Sequence, residues 1–356
     1  NCAQPVTVDG GGIVVNGVGT PDVWQTLGCK GIGLLNCQSV NVGNNHIVDL
    51  GVWKNPASGV QALPVGLDTQ TFGIFVRNSQ SVGIAGNQIG PVYANQTAGN
   101  HYVFARPIRV DSQSAGISPS KEQMYDIRIT GNYMTGGSNS PVFGGALTDA
   151  AIMVQAQPGT DAGASYEMRS VKVEDNSIRG YSGQSLPAGS PYDGGRRTAG
   201  IQVEQLEEGN SESISISGNA VHAIWGYGIV AKAHSPGGVS FEAKLAGLSV
   251  SDNVTHSMQS VGWSGGAYGI LINAQAGGDI QSLQVTGNNI GTVLNVGLSV
   301  LAESSGGVAG RIRGAILQGN RIDSVAPHGA GLLGTGILVN QSGADATILH
   351  TAVHSN

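Results

Sequence analysis

Eight times along this chain a run of alternating apolar and polar residues closes on an asparagine. The phrases are VNVGNN (40–45), VGIAGN (82–87), IRITGN (127–132), VKVEDN (171–176), ISISGN (214–219), LSVSDN (248–253), LQVTGN (283–288) and AILQGN (315–320). Their asparagines, Asn45, Asn87, Asn132, Asn176, Asn219, Asn253, Asn288 and Asn320, are spaced by 42, 45, 44, 43, 34, 35 and 32 residues. A repeat of this size marks a stacked array, because no single unit can bury its own apolar face. A second phrase lies between the first: GIGLLN (31–36), GIFVRN (73–78), PIRVDS (107–112), AIMVQA (151–156), GIQVEQ (200–205), GIVAKA (228–233), GILINA (269–274), GLSVLA (297–302) and GILVNQ (336–341). Both phrases alternate with period two, the pattern of strands rather than helices. The expected fold is all-β, with two short strands per repeat pairing in parallel with the next coil at about 4.8 Å. The asparagine is expected at a sharp corner, taking left-handed geometry and bonding its counterpart in the next coil; a preceding glycine serves the same bend.

With these phrases in view, the chain resembles the right-handed parallel β-helix proteins of the pectin-lyase-like superfamily. The resemblance spans residues 30–345 and implies one solenoid domain, 1–356, of about 8–10 coils with an asparagine ladder. A short third strand is implied after each ladder asparagine, as HIV after Asn45, QI after Asn87 and SI after Asn176. The family holds pectate lyases, polygalacturonases, epimerases, phage tailspikes and non-enzymatic adhesins, so the resemblance speaks to fold more than to activity. Neither end shows a cap: VTVDGGGIVVNG (6–17) reads as the end of an earlier coil and DATILHTAV (345–353) as one more strand. A chain starting at Asn1 is read as a processed or excised product, with further chain or other subunits covering the pairing edges.

Composition narrows the partners. Charged residues make up 11% of the chain, the net charge is −6 and no basic run occurs, which argues against nucleic acid. No apolar run approaches the ~20 residues of a membrane span. Cys2, Cys29 and Cys37 lack metal-ligand spacing; one disulfide among them is open, with the odd count leaving the pairing undecided. No cofactor is expected, since a Ca2+ site would need a carboxylate cluster that the sequence does not show.

The repeat also aligns outward-facing residues without any homologue. One column reads Gly33, Phe75, Arg109, Met153, Gln202, Val230, Leu271, Ser299, Leu338. The next reads Leu35, Arg77, Asp111, Gln155, Glu204, Lys232, Asn273, Leu301, Asn340, and a third ends in His234, Gln275, Glu303 and Ser342. Polar and charged residues gather in the middle coils. Asp111 and Glu204 stand two coils apart, roughly 9–10 Å between strands, which suits the acid and base of an inverting glycosidase. Lys232 and His234 offer instead the base and acid of a uronate lyase or epimerase, with Arg77 or Arg109 neutralising a sugar carboxylate. Gln155 and Asn273 complete the polar column as substrate-binding candidates. The plain alternative is a polar outer face whose Arg77–Asp111 and Glu204–Lys232 neighbours are surface ion pairs worth little.

Long loops flank this column in the N-terminal half, at 46–72, 88–105, 133–149 and 177–198, with 112–125 and 157–169 on the other edge. They carry Trp53, Tyr93, Tyr102, Phe104, Tyr133, Tyr181, Tyr192, Arg196 and Arg197. Of these, Trp53, Tyr102, Tyr192 and Arg197 are the expected stacking and binding groups for sugar rings; the alternative is that loop aromatics form small cores of their own. The polygalacturonase set NTD, DD, GHG and RIK, the epimerase DPHD, a full RxPxxR, a P-loop and HExxH are all absent. Sequons at Asn95, Asn253 and Asn340 read as chance matches. The leading expectation is an extracellular glycoside hydrolase or depolymerase acting on a polysaccharide in a groove along the first sheet. A homotrimeric, tailspike-like assembly is suggested by the resemblance alone. A non-catalytic adhesin or shaft, and a uronate lyase or epimerase, stand as alternatives.

Overall fold

The structure is a computed structural model that describes residues 6–9, 20–21, 27–48, 50–51, 69–90, 92–93, 104–112, 122–136, 150–156, 166–181, 198–206, 209–235, 243–259, 266–305, 307–327 and 334–356. Among them there is no helix, and three parallel sheets carry the chain. Sheet one is built from the Ile-containing phrases: Leu27–Leu35, Thr69–Arg77, Phe104–Ser112, Ala150–Ala156, Thr198–Leu206, Gly226–His234, Ala267–Gln275, Val293–Ser305 and Thr335–Ser342 pair in chain order. Sheet two is built from the asparagine phrases, and sheet three from strands of two or three residues running from His46–Ile47 to Arg321–Ile322. Each coil visits the three sheets in turn. This is a parallel β-helix.

Its core consists of residues stacked in columns. Ile74, Ile108, Ile152, Ile201, Ile229, Ile270 and Leu298 are successive partners in sheet one and have no exposed surface. Ile127, Val171, Ile214 and Leu248 repeat the arrangement in sheet two. Ile89, Met134, Ile178 and Val221 do so in sheet three. Each such side chain contributes about 1.5–3 kcal/mol by leaving water. The glycine that opens so many sheet-one phrases has a steric cause. A Cβ on Gly200, Gly228, Gly269 or Gly297 would lie 2.7 Å or less from a carbonyl oxygen of the following coil.

The corner differs from the expectation in one respect. The left-handed residue is the one before the ladder asparagine: Asn44, Gly86, Gly131, Asp175, Gly218, Asp252, Gly287 and Gly319 all have φ between 55° and 66°. Gly, Asn and Asp are the residues that accept this region most readily, which accounts for the GN, NN and DN endings. The asparagine itself is released for the ladder. The Asn176 Oδ1 accepts from both the backbone N–H and the side-chain amide of Asn132, at 3.0 and 2.9 Å, while the Asn132 amide also donates to the Ile84 carbonyl at 2.9 Å. The same bonds recur from Asn45 to Asn320 and continue to Asn356. TAVHSN (351–356) is thus a ninth phrase, missed because Ser355 stands where the others have Gly, Asn or Asp.

The ends follow the same winding. Val6–Asp9 pairs in parallel with Val40–Gly43, and Thr347–Leu349 and Ala352–His354 extend sheet two. Cys37 is buried; Cys2 and the Cys29 side chain lie outside the described residues, and so does the question of their pairing. Asn253 is a fully buried rung, which removes one sequon as an acceptor.

Candidate functional site

Register sets the site. Arg77, Asp111, Gln155, Glu204, Lys232 and Asn273 are successive partners on sheet one, all pointing away from the core. Beside them run Phe75, Arg109, Met153, Gln202, Val230 and Leu271, and then His234, Gln275 and Glu303. Although these residues face outward, several are buried: Asp111 has no exposed surface, and Arg109, Met153, Gln155 and Glu204 retain 2–7%. Such burial raises the cost of every unpaired charge and the strength of every paired one.

Asp111 is gripped from two sides. The Arg77 guanidinium donates to both of its oxygens, at 2.7 and 3.0 Å, and Arg109 Nε donates to Oδ2 at 2.7 Å. This is no exposed ion pair, and the low-value surface reading does not hold for it. The arginines are seated in turn on a tilted aromatic pair, Phe72 and Phe75, with ring centroids 5.1 Å apart. Arg77 stacks 4.9 Å from the Phe75 centroid and Arg109 5.5 Å from that of Phe72, a geometry in which cation and ring quadrupole attract.

Glu204 sits in a different environment. Its Oε2 accepts from the Gln155 amide at 2.9 Å and the Gln202 amide at 3.3 Å, while Lys232 Nζ stands 3.9 Å from Oε1. Burial pushes its carboxyl above the usual glutamate range, and Lys232, Gln202, Gln155 and Arg106 only partly oppose the shift. His234 moves the other way. Burial and then the Lys232 charge lower its imidazole to about 4. The environments therefore push the carboxyl toward its protonated form and the imidazole toward its neutral form on adjacent strands, with the two Cα atoms roughly 8 Å apart along the diagonal at ordinary strand spacing. Tyr227 and Tyr268 form a half-buried ring pair along the same face, 5.4 Å between centroids.

Asn273 donates to the Glu303 carboxylate at 2.9 Å. Glu303 thus joins the site, in the same column as His234 and Gln275. Trp53, Tyr102, Tyr192 and Arg197 lie outside the described residues. Of the remaining loop aromatics, Tyr181 belongs to the main core with 2% exposed, and Tyr133 stands half-exposed on sheet three, so neither lines sheet one. Among the described residues no group of three or more His, Cys, Asp or Glu side chains is arranged to hold a metal ion.

No family model matches the chain, and no curated protein matches it. Solved structures do. A mutant of a periplasmic alginate epimerase aligns over 87% of this chain and 70% of its own at 12% identity and a TM-score of 0.34. A tailspike protein of an E. coli bacteriophage, solved in complex with a pentasaccharide, aligns over 97% of this chain at 12% identity and a TM-score of 0.38. An exopolygalacturonase from Thermotoga maritima aligns over 97% of this chain and 76% of its own at 12% identity and a TM-score of 0.37. This chain spans 60% of the tailspike's length. At such scores the chemistry has to be read from this chain's own residues.

Proposed function

We propose that this chain is a carbohydrate-acting β-helix that binds an extracellular polysaccharide along the outer face of sheet one and hydrolyses it. The observation that carries the proposal is the divergence of Glu204 and His234 on one rigid face, the pattern of an acid and a base prepared for the same reaction. In this reading the Glu204 carboxyl gives its proton to the glycosidic oxygen as the bond to the anomeric carbon breaks. The neutral His234 imidazole takes a proton from the water that attacks that carbon. The Tyr227 and Tyr268 rings offer apolar surface to a sugar ring, and Lys232, a quarter exposed, stabilises developing negative charge.

Asp111 was the natural partner for Glu204 by spacing. Its complete burial and two arginine partners support a positioning role, holding Arg77 and Arg109 in place beside the groove. One observation favours a second reading: Arg109 and Asp111 are buried and bonded to each other, as are Gln155 and Glu204, which a purely structural shaft or adhesin would also permit.

The test is a panel of purified capsular, O-antigen and plant polysaccharides, read for new reducing ends and for absorbance of unsaturated uronates. New reducing ends that vanish in Glu204→Gln support hydrolysis. Uronate absorbance would transfer the assignment to a lyase, with Lys232 or His234 abstracting a ring proton. Neither signal from a folded chain would leave the shaft or adhesin.

A further inference from the structure

Sheet three carries a second group of chemistry-bearing side chains, on a different face from the proposed groove. Arg179, His222 and His256 are successive partners on its outer surface. The two imidazole centroids are 6.1 Å apart, with the rings inclined at 44°. His256 is exposed and His222 half-exposed. The Ser257 hydroxyl lies 2.6 Å from His256 Nδ1, which leaves Nε2 as the nitrogen to take a ligand. A ring held through its second nitrogen is the usual condition of a metal-bound histidine. On the following coil Gly291 leaves room for this ring: a Cβ there would collide with His256 Cδ2.

We propose that His222 and His256 form a two-imidazole site for one borderline divalent cation, Zn2+ or Cu2+, which clips consecutive coils together on sheet three. The geometry permits it. With metal–nitrogen bonds of about 2.0–2.1 Å, two ring centroids sharing one ion lie roughly 5–6.4 Å apart, depending on the angle at the metal. The 6.1 Å separation falls within that range, and the His256 ring turns from Gly291 toward His222 to share the ion. Water fills the remaining positions of the ion. Arg179, on the neighbouring rung, repels the cation and limits its affinity; Asp323, exposed two coils beyond His256 and paired with Arg321 at 2.6 Å, is the nearest carboxylate in the same column.

The experiment uses the full chain and titrates Zn2+, Cu2+, Ni2+ and Mg2+ separately by calorimetry, with Cu2+ electron paramagnetic resonance to count nitrogen ligands. One equivalent should bind, Cu2+ more tightly than Ni2+ and Mg2+ not measurably. Cu2+ should report two nitrogens, and Tm should rise with Zn2+ concentration. His222→Ala and His256→Ala should each abolish the two-nitrogen signal without unfolding this surface, while Ser257→Ala should weaken binding about tenfold. Binding that persists in the His222→Ala/His256→Ala double variant overturns the site, as does a wild-type chain that binds nothing. Either result leaves the sheet-one proposal untouched, since the two faces share no residue.

Discussion

At the scale of single residues, environment outweighs identity. Glu204 and Asp111 are both carboxylates in one column of one sheet, yet one is surrounded by amides and the other by guanidiniums. Glu204→Gln keeps the shape and the amide partners but removes the proton, so turnover on a hydrolysed polysaccharide should fall about 10²- to 10⁴-fold while binding survives. The same substitution tests stability. Because burial raises the Glu204 carboxyl in the folded state, its contribution is fully present below the unfolded glutamate pKa, about 4.3, and is lost as pH rises through the folded value. The stability of wild type relative to Glu204→Gln should therefore decline as pH rises above that point, measured by urea denaturation. His234 carries the opposite sign: depressed to about 4, it contributes stability above the unfolded histidine pKa near 6.5 that is lost as pH falls between the two. Asp111→Asn should cost about 3 kcal/mol, because it leaves Arg109 buried with half its partner gone while Arg77, about a third exposed, can turn to water. None of this contrast was legible in the sequence. The alignment placed both carboxylates in one outward column, but whether an outward position is buried depends on what stands above it.

At the scale of the element, the asparagine ladder is the most sharply defined unit. Asn176 accepts two bonds from Asn132 and donates to Asn219 and to the Ile129 carbonyl, all in the interior. Asn176→Ala strands those donors and acceptors together and should destabilise the chain by about 3 kcal/mol or more in denaturant titration. Asn356→Ala should cost much less, since its rung is partly exposed. The ladder was readable in advance because hydrogen-bonding demand and backbone geometry both leave marks in the sequence. The residue before each asparagine phrase leaves another mark that went unread. Ser39, Ser81, Asp126, Ser170, Ser213, Gly247, Ser282, Gly314 and His350 all take left-handed φ, a regular bend within sheet two. Such residues seldom advertise a bend singly; their recurrence at one position of the repeat does.

At the scale of the whole molecule, each coil touches only its neighbours, so stability should vary along the axis rather than hold one value. Middle coils are covered on both sides. Between Thr335 and His354, Val339, Leu349 and Val353 are 39–49% exposed. Amide hydrogen exchange should therefore be fastest in Thr335–His354 and slowest in strands such as Thr198–Leu206 and Ala243–Ser251. Uniform protection along the axis would contradict the one-dimensional picture. The sequence by itself determined the winding: period-two phrases recurring every 32–45 residues can bury their apolar side only by stacking, and stacking sets which residues become neighbours. It also determined the register of the outward columns, because a one-residue slip would turn the core isoleucines outward. What only the tertiary structure decided is the electrostatic character of those columns. A pKa or an ion pair depends on the solvent displaced and on the charges within a few ångströms. For Glu204 those charges come from residues up to 98 positions away, Arg106 among them, brought close by coils rather than by sequence.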